Sequence, residues 1–188
     1  MRSYPNQNYK LMANLDFKNE QANTYNSINL QGILDGNNYE ITNINISSNV
    51  SVPLFSNVSQ KAKICNLYIK NYYISSNYYY LSVFGTSRNT TFENVHLENI
   101  TLESTMSGTG AQNTALMSPA EGSIIKNCTA NNVRIKVSNK TSETYIGGFS
   151  AWGSADIENS YINNLVIEET NNTNIGGIGG LVGLLSNA

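Results

Sequence analysis

Apolar residues recur along the chain in short blocks with a shared internal spacing. One block reads Ile64-Cys-Asn66-Leu-Tyr-Ile69-Lys-Asn71-Tyr-Tyr-Ile74, the next Phe92-Glu-Asn94-Val-His-Leu97-Glu-Asn99-Ile-Thr-Leu102. A third runs Ile125-Lys-Asn127-Cys-Thr-Ala130-Asn-Asn132-Val-Arg-Ile135, a fourth Ile157-Glu-Asn159-Ser-Tyr-Ile162-Asn-Asn164-Leu-Val-Ile167. A shorter first copy is Ile41-Thr-Asn43-Ile-Asn-Ile46. In the full blocks the apolar positions fall at i, i+3, i+5, i+8 and i+10. That is the strand period of two, interrupted twice, each time at Asn. Asn tolerates the left-handed backbone that a sharp bend demands. Stacked in register, its amides can also bond to the copies above and below. Asn43, Asn66, Asn71, Asn94, Asn99, Asn127, Asn132, Asn159 and Asn164 therefore read as structural bends.

A second marker recurs beside the first: Pro53-Leu-Phe55-Ser, Ser82-Val-Phe84-Gly, Ala115-Leu-Met117-Ser, Gly147-Gly-Phe149-Ser and Gly179-Gly-Leu181-Val. It reads as another short strand, with small residues where backbones pack closely. The leading Asn residues at 43, 66, 94, 127 and 159 are separated by 23, 28, 33 and 32 residues, and the second markers by 29, 33, 32 and 32. Two markers keeping nearly one period predict a single all-β domain over 1–188, a right-handed parallel β-solenoid of about five to six coils of roughly 23–33 residues. The hand follows from the general rule for parallel crossovers. An opening coil is expected over about 9–40, with strands in Tyr9–Phe17 and Ile28–Leu34 and a turn at Asp35-Gly-Asn-Asn38. The repeats then occupy about 41–183. The pattern stops directly after the fifth second marker, so an uncapped coil end open to strand pairing is expected there.

Reading down successive copies gives columns that should face outward: Thr42, Cys65, Glu93, Lys126, Glu158; Ser47, Lys70, Glu98, Asn131, Asn163; and Ser75, Glu103, Lys136, Glu168. Neighbours in a column lie about 4.8 Å apart and are often oppositely charged, which suits cross-strand pairing. The same register puts Cys65 outward and Cys128 inward two coils away, roughly 10 Å apart and beyond disulfide reach. Two free thiols are expected.

Composition narrows the function. The chain has 188 residues and a net charge of −2, with 13% charged residues, 31 Asn, 21 Ser and 14 Thr. No basic surface exists to displace counterions from nucleic acid, so a nucleic-acid partner is not expected. One His and two Cys are too few for an ordinary zinc site. The HExxH, GxSxG, GxxxxGK[ST] and CxxC patterns are all missing. No catalytic residue, metal or cofactor is expected. The stretch Gly176–Leu185 is too short and glycine-rich to span a bilayer, and residues 1–20 show no basic start followed by an apolar run.

The run Leu30-Gln-Gly-Ile-Leu-Asp-Gly-Asn-Asn-Tyr-Glu-Ile-Thr-Asn-Ile-Asn-Ile46, preceded by Tyr9-Lys-Leu and Asp16-Phe17, resembles the opening of GLUG-type repeat regions. Gly147-Gly-Phe-Ser and Gly179-Gly-Leu-Val-Gly183 resemble the GLUG motif itself. Such regions occur in bacterial secreted and surface proteins, adhesin-like ones included, and in the N-terminal parts of IgA-specific zinc metallopeptidases. The resemblance covers roughly 9–183, and the first three copies depart from it with Pro53, Ser82 and Ala115 in place of Gly. It implies an extracellular or cell-surface, non-catalytic β-helical module. The metallopeptidase zinc motif is missing, so no catalytic residue carries over. Pentapeptide-repeat proteins fit poorly, because the position that they keep small holds Cys65, Lys70, Glu93, Glu98 and Lys126 here.

The candidate ligand-binding residues are Tyr72, Tyr73, Tyr78, Tyr79 and Tyr80, with Tyr68 just before them. Strand alternation cannot bury three consecutive tyrosines, and exposed aromatic surface can stack on sugars or anchor a protein. The plainer reading is that they shield an edge of the solenoid. His96 reads as an ordinary outward residue in a column with Asn45, Tyr68, Thr129 and Tyr161. Trp152 reads as loop packing. Asp16, Asp35 and Asp156 lie far apart in the register, against the acidic clusters of β-helical lyases and hydrolases. Eight Asn-x-Ser/Thr sequons, at 45, 49, 57, 89, 99, 127, 139 and 171, are close to what this composition gives by chance. Three functions follow: a spacer and adhesion surface for a host glycan or protein, a fibre subunit self-associating through its open β-edges, and a glycan-active enzyme.

Overall fold

The computed structural model describes residues 3–19, 27–47, 53–59, 61–105, 111–117, 122–138, 143–170 and 174–185. Sequons at Asn49, Asn139 and Asn171 lie outside these. The opening strands are β1 (Tyr9–Lys10), β2 (Leu15–Asp16) and β3 (Ile28–Leu30), followed by β4 (Ile33–Asp35), β5 (Glu40–Ser47) and β6 (Phe55–Val58). Then come β7 (Lys63–Ser76), β8 (Tyr80–Leu81), β9 (Thr86–Ser87), β10 (Thr91–Ser104) and β11 (Gln112–Thr114). The chain continues through β12 (Ser123–Lys126), β13 (Thr129–Ser138), β14 (Thr144–Gly147) and β15 (Ser150–Trp152). The last strands are β16 (Ala155–Glu158), β17 (Tyr161–Thr170), β18 (Ile175–Gly179) and β19 (Val182–Leu184).

Every strand pairing among the described residues is parallel, and the strands stack as a β-solenoid. One ten-stranded sheet carries two arms, β1-β4-β7-β10-β12-β16 and β2-β5-β7-β10-β13-β17. Strands β7 and β10 span both arms, whereas other coils split them between two strands. The remaining sides are β8-β11-β14-β18, β3-β6-β9 and β15-β19. Complete turns therefore number about four, not five to six. Six rungs stack on each arm, but the other sides hold only four, three and two strands, so none of them runs the full length of the stack.

All nine Asn bends have positive φ, between 47° and 58°. Each lets the chain turn without leaving the ladder, so the flanking apolar residues keep pointing inward. Down the axis this builds inward columns: Leu34, Ile64, Phe92, Ile125; Ile41, Ile69, Leu97, Ala130; and Ile46, Ile74, Leu102, Ile135. All of these are buried. Burying each large aliphatic side chain contributes about 1.5–3 kcal/mol, which no single coil could secure alone.

The first coil is registered differently from the expectation. Ile41, Ile44 and Ile46 pair with Ile69, Tyr72 and Ile74, which sets Asn43 beside Asn71 and not in the column of Asn66. The step from Asn43 to Asn71 is 28 residues, the same as from Asn71 to Asn99. Asn66 faces the turn after Asp35, whose side chain receives the Asn66 amide at 3.1 Å. The short copy matches either pentad of its successor, and the turn at Asp35–Asn38 takes the first bend. The outward columns accordingly begin with Asp35 in place of Thr42 and Thr42 in place of Ser47, while Ser47 joins the column expected to start at Ser75.

The second marker is also corrected in part. Its first copy enters β6, but in later copies it forms the bend beside a short strand, as between β14 and β15. Its apolar residues Phe55, Phe84, Met117 and Phe149 are buried, with Phe84 ring centroids 5.8 Å from Phe55 and 5.0 Å from Phe92. At Gly147 a β-carbon would meet the Ser150 carbonyl oxygen at 1.7 Å, and at Gly179 that of Val182 at 1.8 Å. In the earlier copy Ser82 closes the turn instead, its hydroxyl donating to the Gly85 carbonyl at 2.8 Å and accepting the Phe84 N–H at 3.0 Å.

Candidate binding surface

The sequence candidates separate into core and surface. Tyr72 is 1% exposed, in the inward column of Ile44, Ile100 and Val133, so it is not a ligand-binding residue. The reason is alternation: Tyr72 points inward and Tyr73 outward from one strand. Burial pushes the Tyr72 hydroxyl pKa up, partly opposed by the nearby Leu54 backbone. Tyr73 faces the outer surface and donates to Glu103 Oε2 at 3.0 Å. Desolvation raises its pKa, and Glu103 adds to the rise.

Tyr78, Tyr79 and Tyr80 do come together. They follow the end of β7, where Ser76 Oγ accepts the Tyr78 N–H at 3.1 Å and turns the chain toward β8. The Tyr78 and Tyr79 rings stack at 5.1 Å and 15°, and Tyr79 meets Tyr80 edge-on at 5.5 Å. The Arg88 guanidinium lies 5.8 Å from the Tyr80 ring centroid, within cation–π range. Tyr79 remains 48% exposed. The cluster is thus a pre-stacked aromatic corner with a cation at one side.

A second feature escaped the sequence reading. Tyr68, Lys70, His96, Glu98, Thr129 and Asn131 enclose a shallow depression of about 180 Å³ on the outer face of β7, β10 and β13. The Tyr68 and His96 rings tilt together at 4.7 Å, and His96 Nδ1 is hydrogen-bonded to Thr129 Oγ1 at 2.8 Å. Lys70 Nζ lies 6.0 Å from the Tyr68 ring centroid and 2.6 Å from Glu40 Oε1. The hydrogen bond to Glu40 raises the Lys70 pKa, and desolvation lowers that of His96. The signal was present: a small Thr follows His96 in its column, beside a column of mixed polar residues. That column contains Tyr68, Thr129 and Tyr161 as expected, but begins at Glu40 and not Asn45, which lies beside Tyr73.

The acidic residues hold structural partners. Asp16 and Asp35 each accept a backbone N–H two residues on, both at 2.8 Å, and an Asn amide from the next coil. Those bonds, the side-chain one first, lower both carboxyl pKa values. Glu93 pairs with Lys63 at 2.5 Å, Glu158 with Lys126 at 3.2 Å and Glu168 with Arg134 at 2.8 Å. Both cysteines are free, and both are buried; Cys65 is 8% exposed although its column faces outward. Among the described residues no group of three or more His, Cys, Asp or Glu is placed to hold a metal ion, and no helix is long and apolar enough to cross a membrane. No family model, curated protein or solved structure matches the chain.

Proposed function

We propose that this solenoid is a non-catalytic spacer and binding module of an extracellular or cell-surface protein, engaging a glycan or protein through its lateral surface. The observation that carries the reading is the aromatic corner of Tyr78, Tyr79 and Tyr80 beside Arg88. Rings already stacked on a rigid coil lose little entropy on binding, and a half-exposed tyrosine supplies both apolar face and hydroxyl. The depression at Tyr68 and His96 adds a second place with an aromatic wall and mixed hydrogen-bonding groups. The acidic residues support a non-catalytic role, because Asp16, Asp35, Glu93, Glu158 and Glu168 are engaged in turns and ion pairs. The triple variant Tyr78→Ser, Tyr79→Ser, Tyr80→Ser should lose binding on a glycan and host-protein array while keeping the wild-type far-UV spectrum. Unchanged binding by that variant rejects the tyrosine corner.

A further inference from the structure

The depression on β7, β10 and β13 is a slot that runs along the solenoid axis. Tyr68, His96 and Thr129 are paired in register in one outward column, and Lys70, Glu98 and Asn131 in the next. The columns stand two residues apart on each strand, about 7 Å, and their three rungs span about 10 Å. Between them Ile69, Leu97 and Ala130 point into the core, so the floor of the slot is backbone.

The two walls differ in chemistry. One is aromatic: the Tyr68 and His96 rings meet at 4.7 Å between centroids and 31° between planes. The bond from His96 Nδ1 to Thr129 Oγ1, 2.8 Å long, holds the imidazole in place and leaves Nε2 to a ligand. The other wall is polar and its cation is already compensated. Lys70 Nζ lies 2.6 Å from Glu40 Oε1 and 3.9 Å from Glu98 Oε2, so it offers an anion no unopposed charge. The Glu98 side chain stays 47% exposed, where it repels a carboxylate or sulfate. A pyranose has the matching surfaces, a C–H face for the rings and a rim of hydroxyls for carboxylate and amide oxygens.

We infer that this slot binds an uncharged linear glycan lying parallel to the solenoid axis, its sugar rings against Tyr68 and His96 and its hydroxyls on Glu98 and Asn131. This assignment rests on the lateral ligand-binding role proposed above and gives it a substrate class. The direction follows from the repeat: an extended β-linked pyranose chain advances by about one rung spacing per sugar, so successive sugars meet successive rungs. A peptide fits less well. The slot lies on the face of a sheet whose backbone groups are already used in the ladder of β7, β10 and β13, so a peptide main chain finds no partners there.

His96 is the chain's only histidine, so its imidazole NMR signals report this slot alone. Tag-free full-length chain is titrated with neutral β-1,4-linked oligomers of glucose, mannose, xylose and N-acetylglucosamine, and with oligogalacturonate as the carboxylated control. At least one neutral series should shift the His96 signals saturably, its trimer binding at least fivefold more tightly than its monomer. Tyr68→Ser, a change at an outward and part-exposed ring, should weaken that binding at least tenfold with an unchanged far-UV spectrum. Preference for the galacturonate, equal binding of monomer and trimer, unaltered binding by Tyr68→Ser, or His96 signals that no glycan moves overturns the assignment. The variant Tyr78→Ser, Tyr79→Ser, Tyr80→Ser separates the two sites, which share no residue. It should keep the glycan-induced shifts of His96, and their loss would also overturn the assignment. A wild-type chain that binds an array ligand through the tyrosine corner while His96 stays unmoved rejects the slot and leaves the broader binding role standing.

Discussion

Asn99 donates its side-chain amide to Asn71 Oδ1 at 3.0 Å, one rung back along the axis. It also accepts the Asn132 amide, and its own backbone has φ of 55°. Asn99→Ala removes two hydrogen bonds worth about 1 kcal/mol each and leaves a β-carbon in the left-handed region at about 1 kcal/mol more. The variant should lose about 2–3 kcal/mol in urea unfolding. Asn99→Gly should lose about 1 kcal/mol less, because glycine adopts that backbone without strain. Equal losses for Ala and Gly would mean that the bend geometry contributes nothing.

Tyr72 and Tyr79 separate core from surface within eight residues of sequence. Tyr72→Ala empties a fully buried ring position and should cost about 3–5 kcal/mol. Tyr79→Ser removes a half-exposed ring and should change stability by no more than about 0.5 kcal/mol. Thermal unfolding of the two variants beside the wild type measures both. A large loss for Tyr79→Ser would show that the aromatic corner holds the coil together.

Much of this architecture was legible because the solenoid repeats one local rule. The pairing of apolar alternation with Asn identified the nine bends and the inward columns from Ile64 to Ile167. The slip at Asn43 arose because an Ile-x-Asn-Ile-x-Ile segment matches either pentad of the next coil. Only the backbone of Asp35–Asn38, which takes the first bend, resolves the choice. Tyr72 illustrates a different limit: an aromatic run shows that some rings are exposed, but facing follows from register. The depression at Tyr68 and His96 needed two adjacent columns seen together, which a column-by-column reading separates.

His96 should make the fold sensitive to mild acid. Burial lowers its pKa below the ordinary 6.5, so on acidification the unfolded chain takes up the proton first. Its contribution to stability is complete above 6.5 and is lost as pH falls through the folded-state value. The urea midpoint of the wild type should therefore decline between about pH 7 and 5, and that of His96→Gln should decline less. An NMR titration of the imidazole with a midpoint at or above 6.5 would contradict the argument.

The thiols should be slow to react in the folded protein. Desolvation pushes Cys128 up to about 11, and it raises Cys65 as well, so both are protonated at neutral pH. Ellman's reagent should modify neither promptly in native buffer and both in denaturant. Partial alkylation followed by peptide mapping should label Cys65 before Cys128, since only Cys65 lies in an outward column. The reverse order would place the more accessible sulfur on the wrong side of the sheet.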